Sequence, residues 1–255
     1  TMLLQEKGMD FIESEVSKND RIVASLEKLN AKMDVFWSLR IFSIEILQNR
    51  QLPINLRLVL LATFINSVSD NNLSIEHIEA MISKYRVCFS SQNYVNALNE
   101  LNFNPLLQFS ISKELLRTIV EEIGNNPRFI EVTNDFILGI KTGPLEFGNN
   151  TKEQIELYEK AYVIYKDFED AYHYVIENYL VHLVFSKKFP CNKPTLAKSY
   201  LDIALDYFII KSLLIGTAAK KGEITLEDVV KVVQSYTKAI VHNKKGLTYI
   251  LNKVE

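Results

Sequence analysis

The chain has 255 residues, 47% of them hydrophobic, with 29 basic against 31 acidic side chains and a net charge of −2. That length permits a full apolar core, as one large domain or two smaller ones, and the near-neutral balance argues against non-specific nucleic-acid binding, which needs a basic face. Two cysteines, Cys88 and Cys191, are too few for a tetrahedral thiolate site or an iron–sulfur cluster, and they read as reduced core thiols. There is no signal-peptide pattern and no run of 18 apolar residues, so no membrane segment and a cytoplasmic location are expected.

The eight glycines and six prolines fall where helices should begin and end, and no segment sustains the alternation of a half-buried strand. Residues 3–16 read as a weak amphipathic helix, and Asn19 or Asp20 can cap another through Ile22, Leu26 and Leu29. A stronger stripe follows at helical spacing: Val35, Phe36, Leu39, Phe42, Ile46 and Leu47. Trp37, Arg40 and Arg50 lie near its polar edge. Pro53 sits near the start of a helix through Leu56, Val59, Leu60, Phe64 and Val68. Ser74 should cap a helix to Tyr85, and another runs from about 93 to 101. Asn104-Pro105 and Asn126-Pro127 repeat one device, an Asn cap with Pro in the first helical position. Residues 141–150, KTGPLEFGNN, form the clearest loop, and Thr151 with Gln154 makes a capping box that opens a helix to about Phe168. The next helix holds AYHYVIENYLVHLVF and ends before KKFPCNKP.

Helix 196–220 organises the rest. From Ile203 to Ala219 it is apolar on nearly every face, broken by Asp206, Lys211, Ser212 and Thr217, which marks a buried helix. Gly222 fits a C-cap behind Lys220 and Lys221, and Thr225 with Asp228 opens another helix through a capping box. A last short helix is expected near Tyr249. The fold class is therefore all-α, a multi-helix orthogonal or bundle-like domain of about eleven or twelve helices around helix 196–220. Residues 1–255 read as a single domain, in which 1–142 and 151–255 could form sub-bundles.

No phosphate-cradling glycine motif is present. The four histidines, His77, His173, His182 and His242, are scattered, and no metal site is expected in this chain. The run Asp167-Phe-Glu-Asp170 resembles the aspartate-rich motif of helical terpene synthases, but it lacks the second motif they require and reads as a solvated helix end. Tyr158, Tyr162, Tyr165 and Tyr172 share one helical face. Such a stripe is core with its hydroxyls at the rim, or an aromatic groove for a lysine or methyl-lysine side chain. Glu177-Asn178-Tyr179 interrupts one apolar helix and Lys211 another, so a buried Glu177–Lys211 pair near Gln234 is expected. With Gln234 and His242, these residues make a candidate functional polar cluster.

These stretches resemble the flagellin lysine N-methylases of bacteria. FWSLRIFSIEILQNR (36–50) with LRLVLLATF (56–64) is similar to the family's first block, which includes Phe36, Trp37, Arg40, Leu47, Gln48 and Arg50. ENYLVHLVFSKKFP (177–190), YFIIKSLLIGTAA (207–219) and VVQSYTKAIVH (232–242) are similar to its later blocks. The resemblance implies S-adenosylmethionine-dependent methylation of lysine side chains on flagellin or another protein substrate. The donor site is not visible in this chain, which is expected to be inactive alone. An iron–sulfur or metal centre is implied only if a cysteine-rich segment precedes it. The catalytic residues are left unassigned. Candidate binding residues are Trp37, Arg40, Gln48, Arg50, Tyr165 and Tyr172. The reading from another class is a non-catalytic helical protein-interaction module.

Overall fold

A computed structural model describes Leu4 and residues 33–68, 73–101, 104–123, 126–143 and 151–241. The helices expected before residue 30 and near Tyr249, residues 144–150 of the expected loop, and His242 lie outside the described residues. Ten α-helices follow in order: α1 (Met33–Leu47), α2 (Ile54–Ser67), α3 (Ile75–Phe89), α4 (Gln92–Asn99), α5 (Pro105–Ile123), α6 (Pro127–Ile140), α7 (Lys152–Ala171), α8 (His173–Ser186), α9 (Leu196–Lys221) and α10 (Leu226–Tyr236). A π-helical turn, Thr237–Val241, continues α10. No strand occurs among the described residues, so the protein is all-α.

The helix starts follow local chemistry. The Ser74 side chain accepts from His77 N–H, and Asn126 accepts from Phe129 N–H. Asn104 accepts from the N–H groups of Leu106 and Leu107, so orphan donors at each start find a partner. Both capping boxes form: Thr151 with Gln154 at 3.1 and 3.2 Å, and Thr225 with Asp228 at 3.0 and 3.2 Å. Helix α9 stops at Gly222, whose φ of +78° is left-handed backbone that favours glycine. Helix α3 runs four residues past Tyr85, to Phe89, because Tyr85 and Phe89 both join a ring cluster and the stripe continues.

The chain forms two compact units, each assembled from two separate segments. One comprises Thr1–Asn102 and Tyr172–Ala204, the other Phe103–Ala171 and Leu205–Glu255. The chain passes from one unit to the other at 102–103, at 171–172 and, inside α9, between Ala204 and Leu205. In the first unit α1 packs on α2, α3 and α8. Phe42 meets Phe64 edge-on at 4.7 Å and stacks on Phe89 at 5.7 Å. In the second unit α7 packs on α5 and α6, and Phe109 stacks on Tyr158 at 4.9 Å. Of residues 205–218 in α9, all but Phe208 are buried, as an all-round apolar helix requires.

Within the second unit, α9 passes so close to α6 that a Cβ on Gly216 would lie 2.5 Å from Phe136 Cα and 2.6 Å from Phe136 Cβ. Backbone stands in the way, and a rotamer change cannot relieve it. Gly216→Ala should therefore destabilise by about 1–3 kcal/mol, despite alanine's better helix propensity. Urea unfolding followed by circular dichroism checks this, and a variant as stable as the parent would show that the helices can separate without cost.

Candidate functional site

In the first unit a buried carboxylate gathers two guanidinium groups. Glu177, on α8, is 1% exposed among apolar neighbours. A carboxylate there must be paired and hydrogen-bonded to stay charged. Arg57 Nη1, from α2, donates to Glu177 Oε2 at 2.9 Å. Arg57 is itself 2% exposed, and it also donates to the Leu47 carbonyl at 2.9 Å and the Leu52 carbonyl at 2.7 Å. It thus ties the end of α1 to α2 and α8. Arg50 approaches from the surface, its Nη2 at 3.0 Å from Oε1 and its Nε at 3.1 Å from Oε2. The hydrogen bond to Glu177 holds the Arg50 guanidinium above its ordinary pKa, against a smaller opposing effect of burial.

The outer face of α1 carries Trp37 and Ile41, one turn apart, 45% and 41% exposed. Arg40 lies beside them with its guanidinium carbon 5.9 Å from the Trp37 ring, and its Nε donates to the Phe189 carbonyl at 2.7 Å. Burial pushes the Arg40 pKa down, partly opposed by Cys191. Cys191 is 5% exposed, and burial raises its thiol to about 11 against the opposing effect of Arg40. The folded thiol therefore holds its proton more tightly than an unfolded one. Its contribution to stability is complete below pH 9 and is lost as pH rises through about 11. Cys88 is only half-buried. At pH 8 a disulfide exchange reagent should label Cys88 quickly and Cys191 only on unfolding, and two fast thiols per folded chain would refute this placement.

The second unit holds a different cluster. Lys211, mid-way along α9, is 5% exposed. Its Nζ lies 5.0 Å from the Tyr162 ring centroid, 5.4 Å from Tyr165 and 5.9 Å from Tyr207. Its counter-charge is Glu169, on α7, which is 4% exposed. Glu169 Oε1 accepts from Tyr165 Oη at 2.6 Å and from Tyr207 Oη at 3.1 Å. Burial lowers the Lys211 pKa; the Glu169 carboxylate opposes this and the Lys166 charge adds to it. Burial, then the Glu169 charge, raises both Tyr165 and Tyr207 well above the ordinary phenol value, so both hydroxyls remain donors. Three ring faces around one amine form an aromatic cage, whose cation–π attraction is strongest when the charge is desolvated.

The structure thus corrects the expected Glu177–Lys211 pair. Both side chains are buried, but Glu177 is held by Arg50 and Arg57, and Lys211 sits among tyrosines with Glu169 as its counter-charge. The two belong to different units. Gln234 is exposed and lines no cluster with Lys211, because the inward stripe of α10 passes through Val232, Val233 and Tyr236. Asn178 and Tyr179 are buried beside Glu177 in sequence, and Gln48 is half-buried. Tyr158 and Tyr165 face inward as the stripe predicts, whereas Tyr172 lies beyond the end of α7, 40% exposed, with its ring edge-on to Tyr174. The run 167–170 is solvated only at Asp167 and Asp170; Phe168 and Glu169 turn inward. The aromatic groove expected for an incoming lysine is occupied by the chain's own Lys211. Sequence reasoning left Arg57, Glu169 and Tyr207 out of the candidate site, although Arg57 lies in the first block that resembles the family. Arg57 carried a signal, a cation flanked by Leu56 and Leu58 within an apolar helix.

Among the described residues no group of three or more metal-ligating side chains converges, and no helix is long and apolar enough to cross a membrane. Fold and clusters together define an all-helical protein with a buried guanidinium–carboxylate centre and a caged lysine. The chain belongs to the family described as FliB lysine N-methylase C-terminal domain, which it matches over residues 40–255. No curated protein and no solved structure matches it.

Proposed function

We propose that this chain is the protein-binding part of a lysine N-methylase that acts on flagellin with S-adenosylmethionine as methyl donor. The observation that carries the reading is the family match across residues 40–255. The face of α1 supports it: Trp37 and Ile41 present apolar surface, with Arg40 beside them. An exposed aromatic next to a guanidinium is the composition of a protein-contact centre. Arg50, tied to Glu177 on its inner side, keeps 42% of its side chain in solvent for a partner's acidic group. The donor is a nucleoside, and the described residues offer no strand with a glycine-rich turn to seat one. No step of methyl transfer is therefore assigned to particular side chains, and the chain alone is expected to lack activity.

Calorimetric titration of the chain with flagellin, and separately with S-adenosylmethionine, tests the reading. Flagellin should bind, and Trp37→Ala should weaken that binding by about tenfold or more, the loss of a contact-centre aromatic. Heat on adding S-adenosylmethionine would place a donor site in this chain. Binding of flagellin without S-adenosylmethionine is the result expected of this chain alone. Silence with both would remove the reading.

A further inference from the structure

We propose that Arg40 is the receiving site for a carboxylate, and that the partner docked on the outer face of α1 is a polypeptide segment presenting an acidic and an apolar side chain on one face. This rests on the reading of that face as the protein-contact surface, and it names the chemistry of what binds there. Arg40 is half-buried, and its Nε donates to the Phe189 carbonyl at 2.7 Å. That bond uses one of the five N–H donors of a guanidinium and leaves the four on the two Nη atoms. Among the described residues no carboxylate pairs with Arg40, whereas Arg50 and Arg57 share Glu177 and Arg86 pairs with Glu45. Cys191 does not supply the counter-charge at neutral pH, because its thiol, pushed up to about 11 by burial, keeps its proton.

A partly desolvated cation without a counter-ion is costly, and burial accordingly lowers the Arg40 pKa. Its surroundings add to the demand for an anion. Phe189, which Arg40 holds, lies in the turn after α8, and that turn carries Lys187, Lys188 and Lys193. Lys187 and Lys193 both turn to Asp202, at 3.2 and 3.7 Å. Asp202 is 2% exposed, so its charge is spent inside the turn and not offered at the surface. The balance of these groups is positive, which draws in and orients an acidic segment.

The form of the site selects a carboxylate on a polypeptide over a free anion. With Nε engaged, the guanidinium offers its two Nη atoms as a planar fork whose paired donors match the two oxygens of a carboxylate. The Trp37 ring centre lies 5.9 Å from the guanidinium carbon, and Ile41 follows one turn along the same exposed face. A small inorganic anion would leave that apolar surface in water, whereas a residue near an Asp or Glu of a partner would cover it. Side chains two residues apart in an extended segment share a face at a spacing of about 6.6 Å, enough to reach from the guanidinium to the indole.

Trp37 is the single tryptophan of the chain, so its emission reports on the site. The probes are the blocked peptide acetyl-Thr-Glu-Thr-Leu-Thr-Glu-Thr-amide and its twin with both Glu replaced by Gln. The full chain should bind the Glu peptide about tenfold more tightly at low salt, and the difference should shrink as sodium chloride is raised. Arg40→Gln should abolish the difference, and Arg40→Lys should recover only part of it, since a point charge lacks the fork. Circular dichroism checks that both variants fold. Equal binding of the two peptides by the parent chain, which needs no variant, would overturn the proposal, as would a Glu preference that survives Arg40→Gln. Sodium acetate or sodium phosphate acting at concentrations as low as the Glu peptide would make Arg40 a small-anion site and overturn the polypeptide assignment. Flagellin takes no part in these measurements. Peptide discrimination without flagellin binding would keep this site and remove the substrate; flagellin binding without peptide discrimination would keep the contact surface and remove the carboxylate.

Discussion

Arg57→Met should destabilise the protein by about 3–5 kcal/mol, the range for removing one partner of a buried ion pair. Arg57 is 2% exposed, and it serves Glu177 together with the carbonyls of Leu47 and Leu52. Removing it strands the 1% exposed Glu177 with Arg50, whose side chain is 42% in solvent and screened there. It also orphans two backbone acceptors. Lysine cannot substitute, since a point charge on a flexible stem does not span three acceptors as the guanidinium does. Arg50→Ala, by contrast, should cost no more than about 1 kcal/mol. Arg57→Met combined with Glu177→Gln should cost less than the sum of the singles, because neither charge is then stranded. Urea unfolding of the four-member cycle measures this. Additive effects, or a single Arg57 variant within about 1 kcal/mol of the parent, would mean that Glu177 is not held as described.

Two adjacent residues on α1 should behave in opposite ways. Phe36 is 1% exposed and Trp37 is 45% exposed. Phe36→Ala should cost about 3–5 kcal/mol, since the removed ring leaves a cavity that α1 cannot close alone. Trp37→Ala should change stability by no more than about 0.5 kcal/mol while weakening flagellin binding. Thermal melting of both variants decides the matter. A Trp37 variant as unstable as the Phe36 variant would make the indole part of the core and remove it from the proposed contact surface.

Helix starts were legible because their signals are local. Asn104, Asn126, Thr151 and Thr225 each satisfy backbone donors within the next turn, and no distant residue can overrule them. Burial of Phe36, Leu39, Glu177 and Lys211 was legible from periodicity. The partners were not. Periodicity says that a charged side chain turns inward but not what meets it, and Arg57 and Glu169 are brought in by tertiary packing alone. Glu169 was further hidden because Asp167 and Asp170, in the same run, do face solvent. At α10 the candidate was chosen for chemistry, and Gln234 fell on the outward side of a helix whose register was otherwise plain.

The interleaving of the two units bears on how the chain is made. As synthesis proceeds, α1 and α2 emerge early, yet α8, which covers them, follows only after the whole of 103–171 has been translated. Their apolar faces must wait on the ribosome without their final partner, a circumstance that favours aggregation and calls for chaperone protection. The same order makes closure of the first unit a non-local event, which slows folding relative to a bundle built from neighbouring helices. Fragments divided near residue 145 would each hold pieces of both units, so neither half should fold independently. Mixed in one tube, they should instead recover structure by complementation.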